Sequence, residues 1–178
     1  MKREDAYYFK ILLSVGFFDG YNQWLDSFLE VEDPLSDIVL ELALCRSDAN
    51  KTISCLHNYC AAQTFDEEAV CDKLRIFLRD AHYSNRLSKE ETASYMYHFA
   101  LCHGAPADGV TEFWGDMYYM DDYYSLAKDG IISWKNFDLA FYSYLDGGIP
   151  VDRQAIWNKR ENKIEVLFSK IKRLFSNN

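Results

Sequence analysis

The chain has 178 residues, of which 49% are hydrophobic and 16% aromatic, with a net charge of −9. That is enough apolar side chain to pack one domain and excludes a disordered segment, and no apolar run approaches the length of a membrane span. The charge is uneven: the first 151 residues carry 12 bases against 25 acids, a net of −13, and the remainder carries seven bases against three acids.

An acidic body repels nucleic acid and attracts basic partners. The start, Met-Lys-Arg-Glu-Asp, leads into an amphipathic helix with no small-residue cleavage site, so a cytoplasmic protein is expected. Five cysteines at irregular spacing fit reduced thiols in a reducing compartment.

Residues 4–15 place Ala6, Phe9, Leu12 and Leu13 at helical spacing, with Gly16 after them. Residues 21–30 do the same with Trp24, Leu25, Phe28 and Leu29. Asp33-Pro34 predicts a helix start, a cap followed by proline at the first helical position, with Leu35, Ile38, Val39, Leu42 and Ala43 on one face. Asp48 can cap the next helix, which turns Ile53, Leu56, Tyr59 and Cys60 inward. Asp66-Glu67-Glu68 puts acids at a helix N-terminus, where the dipole favours them, ahead of Val70, Leu74, Phe77 and Leu78. Ser88 through Glu91 is a capping box opening a helix with Tyr95, Met96, Phe99 and Ala100.

Residues 103–110 are the clearest break in the chain. A helix over 112–127 follows. Then Asp129-Gly130 predicts a turn, Ile131-Ile132 a brief extended stretch, and Ser133 a cap for a helix through Phe137, Ala140, Phe141 and Leu145. Residues 146–150 form the second break. The last helix, over 152–175, carries Trp157, Ile164, Leu167, Ile171 and Leu174 at a/d spacing, interrupted by Arg160. No segment alternates with period two, and no repeat recurs at a fixed period. The expected fold is all-α: a single-domain bundle of about eight or nine helices with antiparallel neighbours and a long C-terminal helix. Within it, 1–103 reads as a helical body, 111–146 as acidic and aromatic helices, and 152–175 as a basic helix.

The chemistry of the chain concentrates in residues 111–130, its most aromatic stretch and one of its most acidic. At 100° per residue, Phe113, Met117, Met120, Tyr124 and Ala127 form the core stripe of this helix. Tyr118 and Asp122 point the opposite way. Trp114 and Asp121 lie on one shoulder; Glu112, Asp116, Tyr119 and Tyr123 lie on the other. Glu112 and Asp116 repel at i,i+4, and Gly115 costs about 1 kcal/mol relative to Ala. Local costs of this kind are expected at functional positions. The eight outward or flanking residues are therefore the candidate partner-binding set. The competing reading is an ordinary amphipathic rim with a solvated acidic face.

Catalytic and metal signatures do not assemble. Ser125 to Asn136 has the Asp-Gly of a calcium loop but fails at its key ligand positions, including Asn136 in place of the closing Glu. Cys55, His57 and Cys60 cannot converge on one ion, because His57 points about 160° away from Cys55 on a helix. His98 and Cys102 share a face, but nothing in the sequence supplies an oxyanion site or an orienting group. Asp121-Asp122 lacks the Glu-x-x-His pairs of a carboxylate metal site. The expectation is a binding protein with no cofactor, no metal, no direct nucleic-acid contact and no membrane contact.

Asp33-Pro-Leu-Ser-Asp-Ile-Val-Leu-Glu-Leu-Ala-Leu, followed by Leu56-His-Asn-Tyr59 and then Leu74 and Leu78, resembles the small helical immunity proteins of bacterial toxin–immunity pairs, including contact-dependent inhibition systems. The likeness spans about residues 33–100 and implies a cytoplasmic protein that neutralises a cognate toxin domain, often a nuclease. It implies no catalytic residue. A nuclease is basic where it grips phosphate, and an acidic face with tyrosine and tryptophan suits such a target. A helical adaptor for another protein partner, and an enzyme with an unrecognised site, remain as alternatives.

Overall fold

The computed structural model describes residues 1–104 and 112–157, apart from the side chains of Glu112 and Phe113. Nine helices and no strand occur among them: α1 (Arg3–Ser14), α2 (Tyr21–Leu29), α3 (Asp37–Cys45), α4 (Ala49–Ala61), α5 (Glu67–Tyr83), α6 (Lys89–His103), α7 (Glu112–Lys128), α8 (Trp134–Gly147) and α9 (Arg153–Trp157). The fold is the expected all-α bundle.

Local chemistry sets most of the helix starts. Asp48, Asp66 and Ser133 each accept a hydrogen bond from the backbone N–H three residues on, at 3.0–3.1 Å. Ser88 and Glu91 form the reciprocal capping box, with Ser88 N donating to Glu91 Oε2 at 2.8 Å and Glu91 N donating to Ser88 Oγ at 3.2 Å. Each such cap is worth about 1 kcal/mol.

α3 opens later than Asp33-Pro34 predicts. Glu32 Oε2 accepts from Ser36 N at 3.2 Å and from Ser36 Oγ at 2.8 Å, so a bonded turn occupies 32–36 and the helix begins at Asp37. Leu35, expected in the core, is exposed as a result. Ile131 and Ile132 are not extended either. Both donate their N–H groups to Leu126 O, at 2.9 and 3.3 Å, in the turn that ends α7.

Consecutive helices pack against each other at α2–α3, α3–α4, α5–α6, α6–α7, α7–α8 and α8–α9. The first helix departs from that pattern: α1 packs on α4, α5 and α6. One continuous apolar core runs from Ile11 and Leu12 through Leu56, Leu74 and Phe99 to Phe137 and Phe141. Fully burying each such side chain stabilises the fold by roughly 1.5–3 kcal/mol.

The buried Arg75 of α5 fastens α8 to this core. Its Nη1 donates to Leu145 O at 2.6 Å, and its Nε and Nη2 donate to Asp72 Oδ1. Gly148 caps α8 at φ +60°, and a Cβ there would lie 3.3 Å from Arg75 Nε. Of the helix predicted over 152–175, residues 158–175 lie outside the described residues. Within α9 the phase differs from the a/d expectation, with Ile156 buried and Trp157 exposed. Asp152 Oδ1 accepts from Gln154 N and Ala155 N, and Asn136 Nδ2 donates to Ala155 O and Ile156 O; together these set the phase. Among the described residues, no helix is long and apolar enough to cross a membrane.

Candidate functional site

α7 lies between α6 and α8 and also touches α5, so it is buried over a wider arc than one apolar stripe. Met117, Met120 and Ala127 are in the core, as their spacing predicts. Trp114, Asp116 and Tyr123, expected on the shoulders, are buried too, with exposures of 1%, 3% and 5%. They are withdrawn from a partner, and each for an identifiable reason. Trp114 is covered by His103 at the end of α6, whose imidazole stacks on the indole. Asp116 Oδ2 accepts the Val151 N–H at 2.6 Å, and Arg153 Nη2 lies 3.9 Å from Oδ1. The segment leading into α9 therefore covers that shoulder. Tyr123 packs beside Tyr119, and burial raises its phenol above the ordinary range while Arg153 opposes the rise.

Tyr118, Tyr119 and Asp121 are half-buried, and Asp122 is exposed. The side chain of Glu112 lies outside the described residues, as does that of Phe113 from the expected core stripe. The surviving residues meet Tyr97 of α6, which sequence reasoning missed, while His98 of α6, considered in the sequence only beside Cys102, acts electrostatically on Asp121. Tyr97 and Tyr118 have ring centroids 5.2 Å apart, Tyr118 and Tyr119 a further 5.2 Å, and Tyr119 and Tyr123 6.3 Å. The Arg153 guanidinium sits over the Tyr119 ring at 4.7 Å. The result is a row of tyrosines across two helices, with a cation over Tyr119. No local signal links Tyr97 to Tyr118, because the chain break at 103–110 lies between them.

Two carboxylates flank this row. Burial raises the Asp121 carboxyl above its usual range, the adjacent Asp122 raises it further, and His98 opposes both. None of the ion pairs among the described residues involves Asp121 or Asp122. Their mutual repulsion is thus uncompensated by a salt bridge there.

A second polar cluster ties the end of α6 to α1 and α5. Tyr7 Oη lies 3.1 Å from His103 Nδ1, Glu67 Oε2 lies 3.5 Å from His103 Nε2, and Lys10 Nζ donates to Cys102 O at 3.0 Å. Burial pushes the Tyr7 phenol up to about 12 and lowers the His103 imidazole. A phenol held that high is a weak nucleophile at neutral pH, and the cluster serves as a clamp between helices. Cys60 is buried, Cys55 partly exposed and His57 exposed, in keeping with their divergence on α4. Among the described residues, no group of three or more His, Cys, Asp or Glu side chains is placed to hold a metal ion. The chain matches no family model, and no curated protein or solved structure is significantly similar to it.

Proposed function

We propose that the chain is a non-enzymatic binding protein of the immunity or inhibitor kind, which takes a basic toxin domain, most naturally a nuclease, on the α6–α7 face. The observation that carries this reading is the tyrosine row Tyr97–Tyr118–Tyr119 beside Asp121 and Asp122. Tyrosine supplies large contact area at low entropic cost, and interface energy gathers in such anchors. The adjacent carboxylates gain most from a cationic partner, since like charges held together are relieved by an opposite charge. The net charge of −13 in the first 151 residues works in the same direction over longer range.

The test is to titrate the protein into a panel of basic nuclease toxin domains and measure residual nuclease activity. Tyr118→Ala and Asp122→Ala should each weaken inhibition by about tenfold or more while lowering stability by less than about 2 kcal/mol, so that both remain folded at the assay temperature. Unchanged inhibition in both variants would remove this face from the account.

The adaptor reading has an observation of its own. Leu40 and Leu44 stand on one side of α3 at 47% and 79% exposure, beside Glu41 and Asp37. Leucines so placed suit a partner bound by apolar contact. Loss of a partner on Leu44→Ser, with Tyr118→Ala silent, would favour that reading.

A further inference from the structure

Cys45 ends α3 and Cys55 lies within α4, and their sulfur atoms are 3.9 Å apart. Both line an open cleft of about 490 Å3, together with Asp48, Lys51 and Ser54. Cys45 is buried and its Sγ lies 3.5 Å from Thr52 Oγ1; Cys55 is partly exposed. Thr52 Oγ1 also donates to Cys45 O at 3.0 Å, which holds the end of α3 against α4. A disulfide needs a sulfur separation of about 2.05 Å, and the approach from 3.9 Å is made by rotation of the two side chains. Two of the other three thiols have different neighbours: Cys60 Sγ approaches Arg3 O at 3.7 Å and Cys71 Sγ approaches Tyr144 Oη at 3.6 Å.

We propose that Cys45 and Cys55 are a redox-active thiol pair, oxidised to an intramolecular disulfide by a small-molecule disulfide such as glutathione disulfide that enters the cleft. Cys55, the more exposed, loses its proton and attacks one sulfur of the reagent. The reagent's S–S bond breaks, one glutathione leaves and takes up a proton, and a mixed disulfide stands on Cys55. Cys45 then loses its proton and attacks the Cys55 sulfur, and the second glutathione leaves as a thiol. Two electrons pass to the reagent, and the two protons lost by the protein are matched by the two that the glutathione thiolates gain. Burial and the neighbouring Cys45 raise the Cys55 thiol above its ordinary range, so the first step accelerates with rising pH.

The new bond closes a short loop over Arg46–Ser54 and straps the corner between α3 and α4. Arg46, next to Cys45, already reaches α2, donating to Asp26 Oδ1 at 2.7 Å, Asp26 Oδ2 at 2.8 Å and Asn22 Oδ1 at 2.8 Å. Oxidation therefore stiffens a junction of three helices.

The experiment is to incubate the full chain with excess glutathione disulfide at about pH 8, quench with alkylating agent, and map a non-reduced digest by tandem mass spectrometry. The expected product has lost about 2 Da, the two thiol hydrogens, and carries a Cys45–Cys55 link with the other three cysteines alkylated once the chain is unfolded. In Cys45→Ser the reaction should stop at a glutathione adduct on Cys55, and in Cys55→Ser the link should be absent. Far-ultraviolet circular dichroism on both variants establishes that the helices are retained. A lasting glutathione adduct on Cys55 of the parent without the link, links of equal yield at other cysteines, or no reaction where free cysteine reacts would each overturn the proposal.

Discussion

The imidazole of His103 lies flat on the indole of Trp114, with centroids 4.0 Å apart and planes 2° from parallel. His103 closes α6 and Trp114 stands in the first turn of α7. The contact fastens the end of one helix to the start of the next, and it explains why an indole placed on the helix shoulder is not available to a partner.

Trp114→Ala should lower stability by about 3–5 kcal/mol, the cost of emptying a large buried site. Tyr118→Ala, at a half-buried position on the same helix, should cost less than about 2 kcal/mol. Chemical denaturation of the two variants checks the contrast. Equal losses would mean that the tyrosine row belongs to the core.

Stability should depend on pH through His103. Burial lowers its folded-state value below 6.5, and nearby Lys10 lowers it further against Glu67. The unfolded chain then binds the proton more readily, so this contribution is present above about pH 6.5 and is lost as pH falls below it. His103→Gln should flatten the pH dependence in that window. An imidazole titration by NMR with a midpoint above 6.5 would contradict the sign.

Asp116→Ala should destabilise by about 1–3 kcal/mol, since it leaves the part-buried Val151 N–H without the carboxylate it donates to. Hydrogen exchange at Val151 should accelerate in the variant. Unchanged exchange would mean that this bond does not hold the α9 segment down.

Gly148→Ala should cost about 1–2 kcal/mol, because φ of +60° strains a residue with a Cβ and the added carbon meets Arg75. Thermal unfolding measures it. A variant as stable as the parent would show that the cap and Arg75 can both yield.

Association with a basic toxin domain should slow as salt rises from low to physiological ionic strength, as expected for steering by the acidic body. Stopped-flow rates across a salt series test this, and a flat response would remove steering from the proposed function.

The helices themselves were legible in the chain because their signals are local. Asp48, Asp66, Ser88 and Ser133 cap within three residues of where they stand. Met117, Met120, Phe137 and Phe141 lie inward as the 3.6-residue period demands. Legibility ended where a neighbour decides. The start of α3 moved because Glu32 bonds Ser36, and the phase of α9 followed Asp152 and Asn136.

The candidate face shows the same division. Periodicity alone determined that Met117 and Met120 are inside and Asp122 is outside, since these lie near the poles of the helix. Only the tertiary structure decided the shoulders. Trp114 and Asp116 lie where the helix direction leaves burial open, and His103, Val151 and Arg153 close over them from parts of the chain that no local pattern connects to α7. The same long-range packing brought Tyr97 beside Tyr118, because a helix fixes the direction of its own side chains while the choice of what stands opposite belongs to the whole fold.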